Sequence, residues 1–196
     1  MVLTSFLLGT FVKIITGFDD VIVHIPVLAH FTKTRKGKVA FSIGTILAII
    51  VAIFLTIFFV SFLKTLPYTR FITAGLLFVL AATIYFGWFM ERIEMGAEKK
   101  LLKIKEISNG HFMRLIGIGF IASIITVLDD VIAYSPLFLS GTLTRSFVIA
   151  GIIFAALLEI VIVFYFAEKA HKIKYTKEIA TISLVVWGIL TLIGVI

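Results

Sequence analysis

Residues 16–26 read TGFDDVIVHIP, two aspartates and a histidine set in an otherwise apolar segment, and residues 126–136 read TVLDDVIAYSP. The second copy repeats Thr, Asp, Asp, Val, Ile and Pro at the same spacing, 110 residues further on. Each copy lies inside an apolar run of membrane-spanning length. A hydrocarbon core of ~30 Å takes about 20 helical residues, and runs of that scale fall near 2–28, 39–63, 68–90, 112–140, 146–167 and 178–196. Of the 196 residues 61% are hydrophobic, 20 are Phe and only 15% are charged, against the roughly 45–50% apolar content of soluble domains. The chain is therefore expected to be an all-α integral membrane protein with six transmembrane helices. The first and fourth runs are longer than a crossing needs and carry the aspartates and prolines, which predicts tilted or broken helices there.

The duplication extends beyond the motif. At the offset of 110, Thr16, Asp19, Asp20, Val21, Ile22 and Pro26 align with Thr126, Asp129, Asp130, Val131, Ile132 and Pro136. At an offset of 107, GTILAIIVAIFLTIFF (44–59) aligns with GIIFAALLEIVIVFYF (151–166), and Thr69 and Gly87 align with Thr176 and Gly194. Three spans per copy is an odd number, so the second copy enters the membrane from the opposite side. The expected organisation is a first three-helix repeat over 1–90, a cytoplasmic linker over 91–110 and a second, inverted three-helix repeat over 111–196. Inverted repeats are common among secondary transporters, with the site near the midplane between the halves.

The formal charge of +7 raises the question of nucleic acid, but the basic residues sort by loop. Fourteen of the 18 fall on one side of a six-span layout and three, Lys64, Arg70 and Arg145, on the other. The rich side is cytoplasmic by the positive-inside rule, which predicts a multi-pass protein of the cell membrane with both termini extracytoplasmic and no nucleic-acid partner. The amino-terminal MVLTSFLLGTF lacks the basic start of a cleaved signal and reads as a retained first helix. The chain has no cysteine, which excludes disulfides and thiolate metal sites. It has no G-x-x-x-x-G-K-[ST] phosphate loop.

Lys13, the remaining basic residue, sits at membrane depth with Asp19, Asp20, Asp129 and Asp130. One Asp at a helix centre costs roughly 2.5–3.5 kcal/mol, so four cost on the order of 10 kcal/mol. One lysine cannot neutralise four acids, and the residual charge marks a cation site. On a helix the Thr16 hydroxyl stands beside Asp19 or Asp20, three or four residues on, and Thr126 repeats the arrangement. Oxygen ligands of this kind suit divalent ions such as Mg, Ca and Mn. His24, whose counterpart is Tyr134, is either an auxiliary nitrogen ligand or a helix-contact residue. Glu159 in the fifth span, opposite Ala52 in the alignment, is either a proton-coupling carboxylate or the ion-pair partner of Lys13, itself opposite Ser123.

The T-x-x-D-D segment followed by small aliphatics, once per three-helix half, resembles the cadmium-resistance transporters of the LysE-type exporter superfamily. The resemblance rests on Thr16, Asp19, Asp20 and Thr126, Asp129, Asp130 together with the six-span layout. It implies a small cation exporter working through those aspartates by alternating access. Where the resemblance implies asparagine after each threonine, this chain has Gly17 and Val127.

The resulting expectation is a secondary transporter that exports divalent cations, with Mn, Ca, Mg, Cd and Zn undistinguished as substrate, driven by the membrane potential or by exchange for protons, with no permanently bound cofactor and the lipid bilayer as its setting. A homodimer is compatible with it. The alternative is an exporter of amino acids or other small solutes, for which only Lys13 is placed to meet a carboxylate. An intramembrane enzyme is disfavoured, because paired catalytic acids sit in distinct environments whereas these two motifs are near-identical. A channel needs a continuous polar pore that the chain does not display.

Overall fold

The computed structural model describes residues 2–31, 34–86, 112–124, 127–140, 143–166 and 176–194. They form seven helices: α1 (Val2–Phe31), α2 (Arg35–Leu63), α3 (Thr69–Phe86), α4 (Phe112–Ile124), α5 (Val127–Leu139), α6 (Arg145–Phe166) and α7 (Thr176–Ile193). The expected linker at 91–110 lies outside the described residues.

Composition and length drive helix formation here. Without water to receive a hydrogen bond, a backbone in lipid must satisfy itself within the helix. Arg35–Leu63, Thr69–Phe86 and Arg145–Tyr165 are long and apolar enough to cross a membrane, and α4 with α5 forms a fourth such unit. This is the pattern of a multi-pass membrane protein. Val2–Gly17 and Thr181–Ile193 are shorter apolar helices, so among the described residues three of the six expected crossings, or four with the bent pair, reach full length. The helix α1 continues beyond Gly17, through the acidic pair, to Phe31.

Tilted or broken helices were expected in the first and fourth runs alike. The fourth is broken: α4 and α5 are bent by 68° to one another. The first is continuous through both its aspartates and Pro26. Pro136, too, lies within α5 rather than at a break. Proline removes one helical hydrogen bond and crowds the preceding turn, but in neither run does it end the helix. The break instead leaves Asp129 and Asp130 in the first turn of α5, where the positive end of the helix dipole favours carboxylates.

The packing follows side-chain size. On α2, Ala40, Gly44, Ala48 and Ala52 recur every four residues and are buried, while Phe54, Phe58 and Phe62 form an exposed apolar stripe. Small residues let helix backbones approach where lipid offers no hydrophobic drive to associate. The long neighbours are α1 with α6, α2 with α4 and α5, and α3 with α7. Two crossings are at backbone contact. A Cβ on Gly9 would fall on the carbonyl oxygen of Val148, and one on Gly151 would fall on that of Phe6. Between α2 and α4, a Cβ on Gly44 would meet the carbonyl of Ile116, and one on Gly119 that of Phe41. Thr10 Oγ1 adds a hydrogen bond to the Gly151 carbonyl at 3.3 Å.

Apolar clusters complete the interior. One joins Val12, Leu77, Tyr134, Phe138, Ile152 and Trp187, and another joins Leu28, Phe41, Leu115, Ile118 and Val163. The Trp187 indole N–H donates to the Ala133 carbonyl at 3.0 Å, tying α7 to α5.

Candidate functional site

Among the described residues the buried charged side chains are Lys13, Asp129, Asp130 and Glu159, at 1, 3, 3 and 7% exposure, with His24 at 2% beside them. They come from α1, α5 and α6, which meet because the glycine crossing brings α1 against α6 and the bend at α4 turns the start of α5 inward.

Lys13 is the hub. Its Nζ lies 3.3 Å from Asp130 Oδ2 and 3.4 Å from Glu159 Oε2. Thr16 Oγ1 donates to the other oxygen of Asp130, Oδ1, at 2.7 Å. A buried carboxylate needs this kind of support, since removing a charge from water costs several kcal/mol unless partners restore it. The Thr16 hydroxyl was expected beside its own helix's acids, whose side chains lie outside the described residues; it reaches the acid on α5. Both reach Asp130 because Lys13 and Thr16 share one face of α1, three residues apart.

Glu159 has its other oxygen, Oε1, 3.7 Å from His24 Nδ1. That is an ion-pair separation, longer than a hydrogen bond. On the far side of the ring, His24 Nε2 is 3.0 Å from Ser123 Oγ. Ser123 Oγ is also 2.9 Å from the Gly119 carbonyl and 3.2 Å from Thr45 Oγ1. A buried polar chain thus runs from Thr45 on α2 through Ser123 on α4, His24, Glu159 and Lys13 to Asp130 and Thr16. Gly17 makes room for it: a Cβ there would sit 2.6 Å from Glu159 Oε2. A larger residue after the first threonine would require the Glu159 side chain to shift.

Of the residues singled out from sequence, the structure brings together Lys13, Thr16, His24, Asp130 and Glu159, and buries Asp129 close by. The side chains of Asp19 and Asp20, and all of Thr126, lie outside the described residues. Among the described residues no three His, Asp or Glu side chains are grouped so as to hold a metal ion. Ser123 and Thr45 were not expected in the network. Ser123 carried a signal, since it occupies the position aligned with Lys13, while Thr45 is one of many threonines in apolar helices and carried none.

Chemically, the arrangement holds, among the described residues, three buried carboxylates and one buried ammonium, with the His24 ring at one end. Compared with models of known protein families, with curated proteins and with solved structures, the chain matches none.

Proposed function

We propose that the protein is a secondary transporter that exports divalent metal cations by alternating access between two inverted three-helix halves, and not an enzyme. The observation that carries the reading is the excess of buried carboxylates among the described residues: Asp129, Asp130 and Glu159 are buried with one buried ammonium, that of Lys13, which Asp130 and Glu159 share. Asp19 and Asp20 add two more acids on the facing helix. Charge of that density inside an apolar bundle marks an ion pathway. The cation site of this reading consists of Asp19, Asp20, Asp129 and Asp130 with the hydroxyls of Thr16 and Thr126, an oxygen set suited to a hard or borderline divalent ion. His24 is left out of it, because its two ring nitrogens face Glu159 and Ser123.

Support for two equivalent halves comes from the crossings. Gly9 and Gly119 are separated by the same 110 residues as the acidic motifs, and Gly44 and Gly151 by the same 107 as the second helices. Each half's second helix crosses the other half's first. A broken helix beside the acids is also a recurrent device of transporters. The solute-exporter alternative is weakened by Lys13, whose ammonium is already occupied by two carboxylates.

Flux into proteoliposomes across a panel of divalent ions at two pH values tests the reading, with Asp19→Asn and Asp129→Asn beside the native chain. The expected result is cation flux in the native protein that is lost in both variants. Movement of amino acids without any metal flux would assign the protein to the solute exporters instead.

A further inference from the structure

The proposed cation site does not use His24, Ser123 or Glu159, yet these three are buried in one connected row. Ser123 has a single hydroxyl proton and three acceptors within reach, at 2.9 Å (Gly119 carbonyl), 3.0 Å (His24 Nε2) and 3.2 Å (Thr45 Oγ1). The first two are equally good by distance, so the hydroxyl can serve either. When it donates to Nε2, the neutral ring carries its proton on Nδ1, directed at the Glu159 carboxylate. When it turns to the Gly119 carbonyl, its lone pair accepts an Nε2 proton, and the ring can then carry a proton on each nitrogen. The second state holds one proton more than the first, and the added charge stands against Glu159. Histidine is the side chain whose charge changes most readily near neutral pH.

We propose that His24 and Glu159 form a proton-binding site, poised by Ser123, whose occupancy sets through Lys13 whether Asp130 is available to a cation. The inference rests on the transporter reading and adds the coupling step to it. With a proton on the pair, Glu159 is balanced by His24, and the ammonium of Lys13 goes over to Asp130. With the proton gone, Glu159 draws Lys13 to itself and Asp130 faces the cation site uncompensated. A cation arriving at Asp130 repels Lys13 towards Glu159 and so expels the proton. One cation in and one proton out are opposite faces of one linkage.

Among the described residues, the charged groups around Glu159 come from α1 and α5. From α1 it faces Lys13 and His24, and from α5 the acids Asp129 and Asp130 lie beyond Lys13. From α2 the nearest described charge, Lys38, is occupied at the helix end, where Nζ lies 3.5 Å from the Phe164 carbonyl and 5.2 Å from the Phe164 ring centre. The asymmetry is also informative. Lys13, His24 and Glu159 align with Ser123, Tyr134 and Ala52, so the aligned positions do not repeat this trio.

The test uses the full-length protein in detergent, with Mn²⁺ as the probe cation. A pH indicator in weak buffer should register about one proton released per Mn²⁺ bound, and Mn²⁺ affinity should rise about tenfold per pH unit, the slope for one exchanged proton. In Glu159→Gln the release should disappear and the slope fall below about twofold per unit, with affinity fixed near the native low-pH value. Full proton release in Glu159→Gln overturns the inference. A second arm needs no cation and separates this inference from the transport reading. With labelled histidine, the imidazole nitrogen signals of His24, assigned by their loss in His24→Gln, should change with pH and differ between the native protein and Glu159→Gln or, should that variant not insert, Ser123→Ala. A pH-invariant His24 signal, or one unaffected by these substitutions, overturns the proton site even if Mn²⁺ is transported. Absence of Mn²⁺ binding beside a responsive His24 would count against the cation reading alone.

Discussion

The α1–α6 and α2–α4 crossings are built alike and filled differently. In each, two glycines bring helix backbones into contact, Gly9 with Gly151 in one and Gly119 with Gly44 in the other. One turn beyond the glycine on the first helix stands a buried side chain: Lys13 at the α1–α6 crossing and Ser123 at the α2–α4 crossing. The lysine meets Glu159, whereas the aligned position on α2 is Ala52. The two crossings share their paired glycines but not their charge. Packing requires only small residues at the right spacing, while the chemistry depends on the one interface that carries ions.

The largest contrast should follow from removing the hub. Lys13→Met leaves Asp130 and Glu159 buried without their ammonium, a loss of about 3–5 kcal/mol for breaking a buried ion pair. Ser123→Ala, at the aligned position, removes neutral hydrogen bonds and should cost about 0.5–1.5 kcal/mol. Reversible unfolding of both variants in mixed detergent measures the gap, and equal losses would break the comparison. Next come the crossings themselves. Gly9→Ala and Gly119→Ala each place a methyl against a carbonyl and should destabilise by about 1–3 kcal/mol through overpacking. The comparison is sharpened if the two agree within experimental error and broken if one is neutral. The smallest effect belongs to a contact outside both crossings: Trp187→Phe removes the bond to the Ala133 carbonyl and should cost about 1 kcal/mol, read as a modest drop in Tm with flux retained.

Much of the architecture was legible in the sequence because lipid imposes a simple rule of length and apolarity. The runs at 39–63 and 146–167 correspond to α2 at 35–63 and α6 at 145–166. Proline was a poor guide to the breaks. Pro26 and Pro136 both lie inside helices, and the bend falls between α4 and α5, ahead of the acids. A proline's effect depends on which neighbours receive the freed carbonyl, and single-helix reasoning does not contain that. In the site, the alternatives for Glu159 and Lys13 were left open by sequence. The structure places them 3.4 Å apart and adds Asp130 to the same ammonium. Helical spacing could put Thr16 near Asp20 but could not reveal its bond to Asp130, 114 residues away. The glycine crossings were visible in principle, since Gly9 and Gly119 obey the same offset as the acidic motif, but a glycine's meaning depends on the helix that comes to lie against it.

The most direct test of the central claim, that interior carboxylates on α5 capture a cation, is calorimetric titration of the purified protein with divalent ions, native beside Asp130→Asn. The account predicts saturable binding to the native chain and an affinity at least about tenfold weaker in the variant, the scale expected when a charged ligand is neutralised. Equal affinities in the two proteins, or no binding of any divalent ion to a folded native chain, would contradict it.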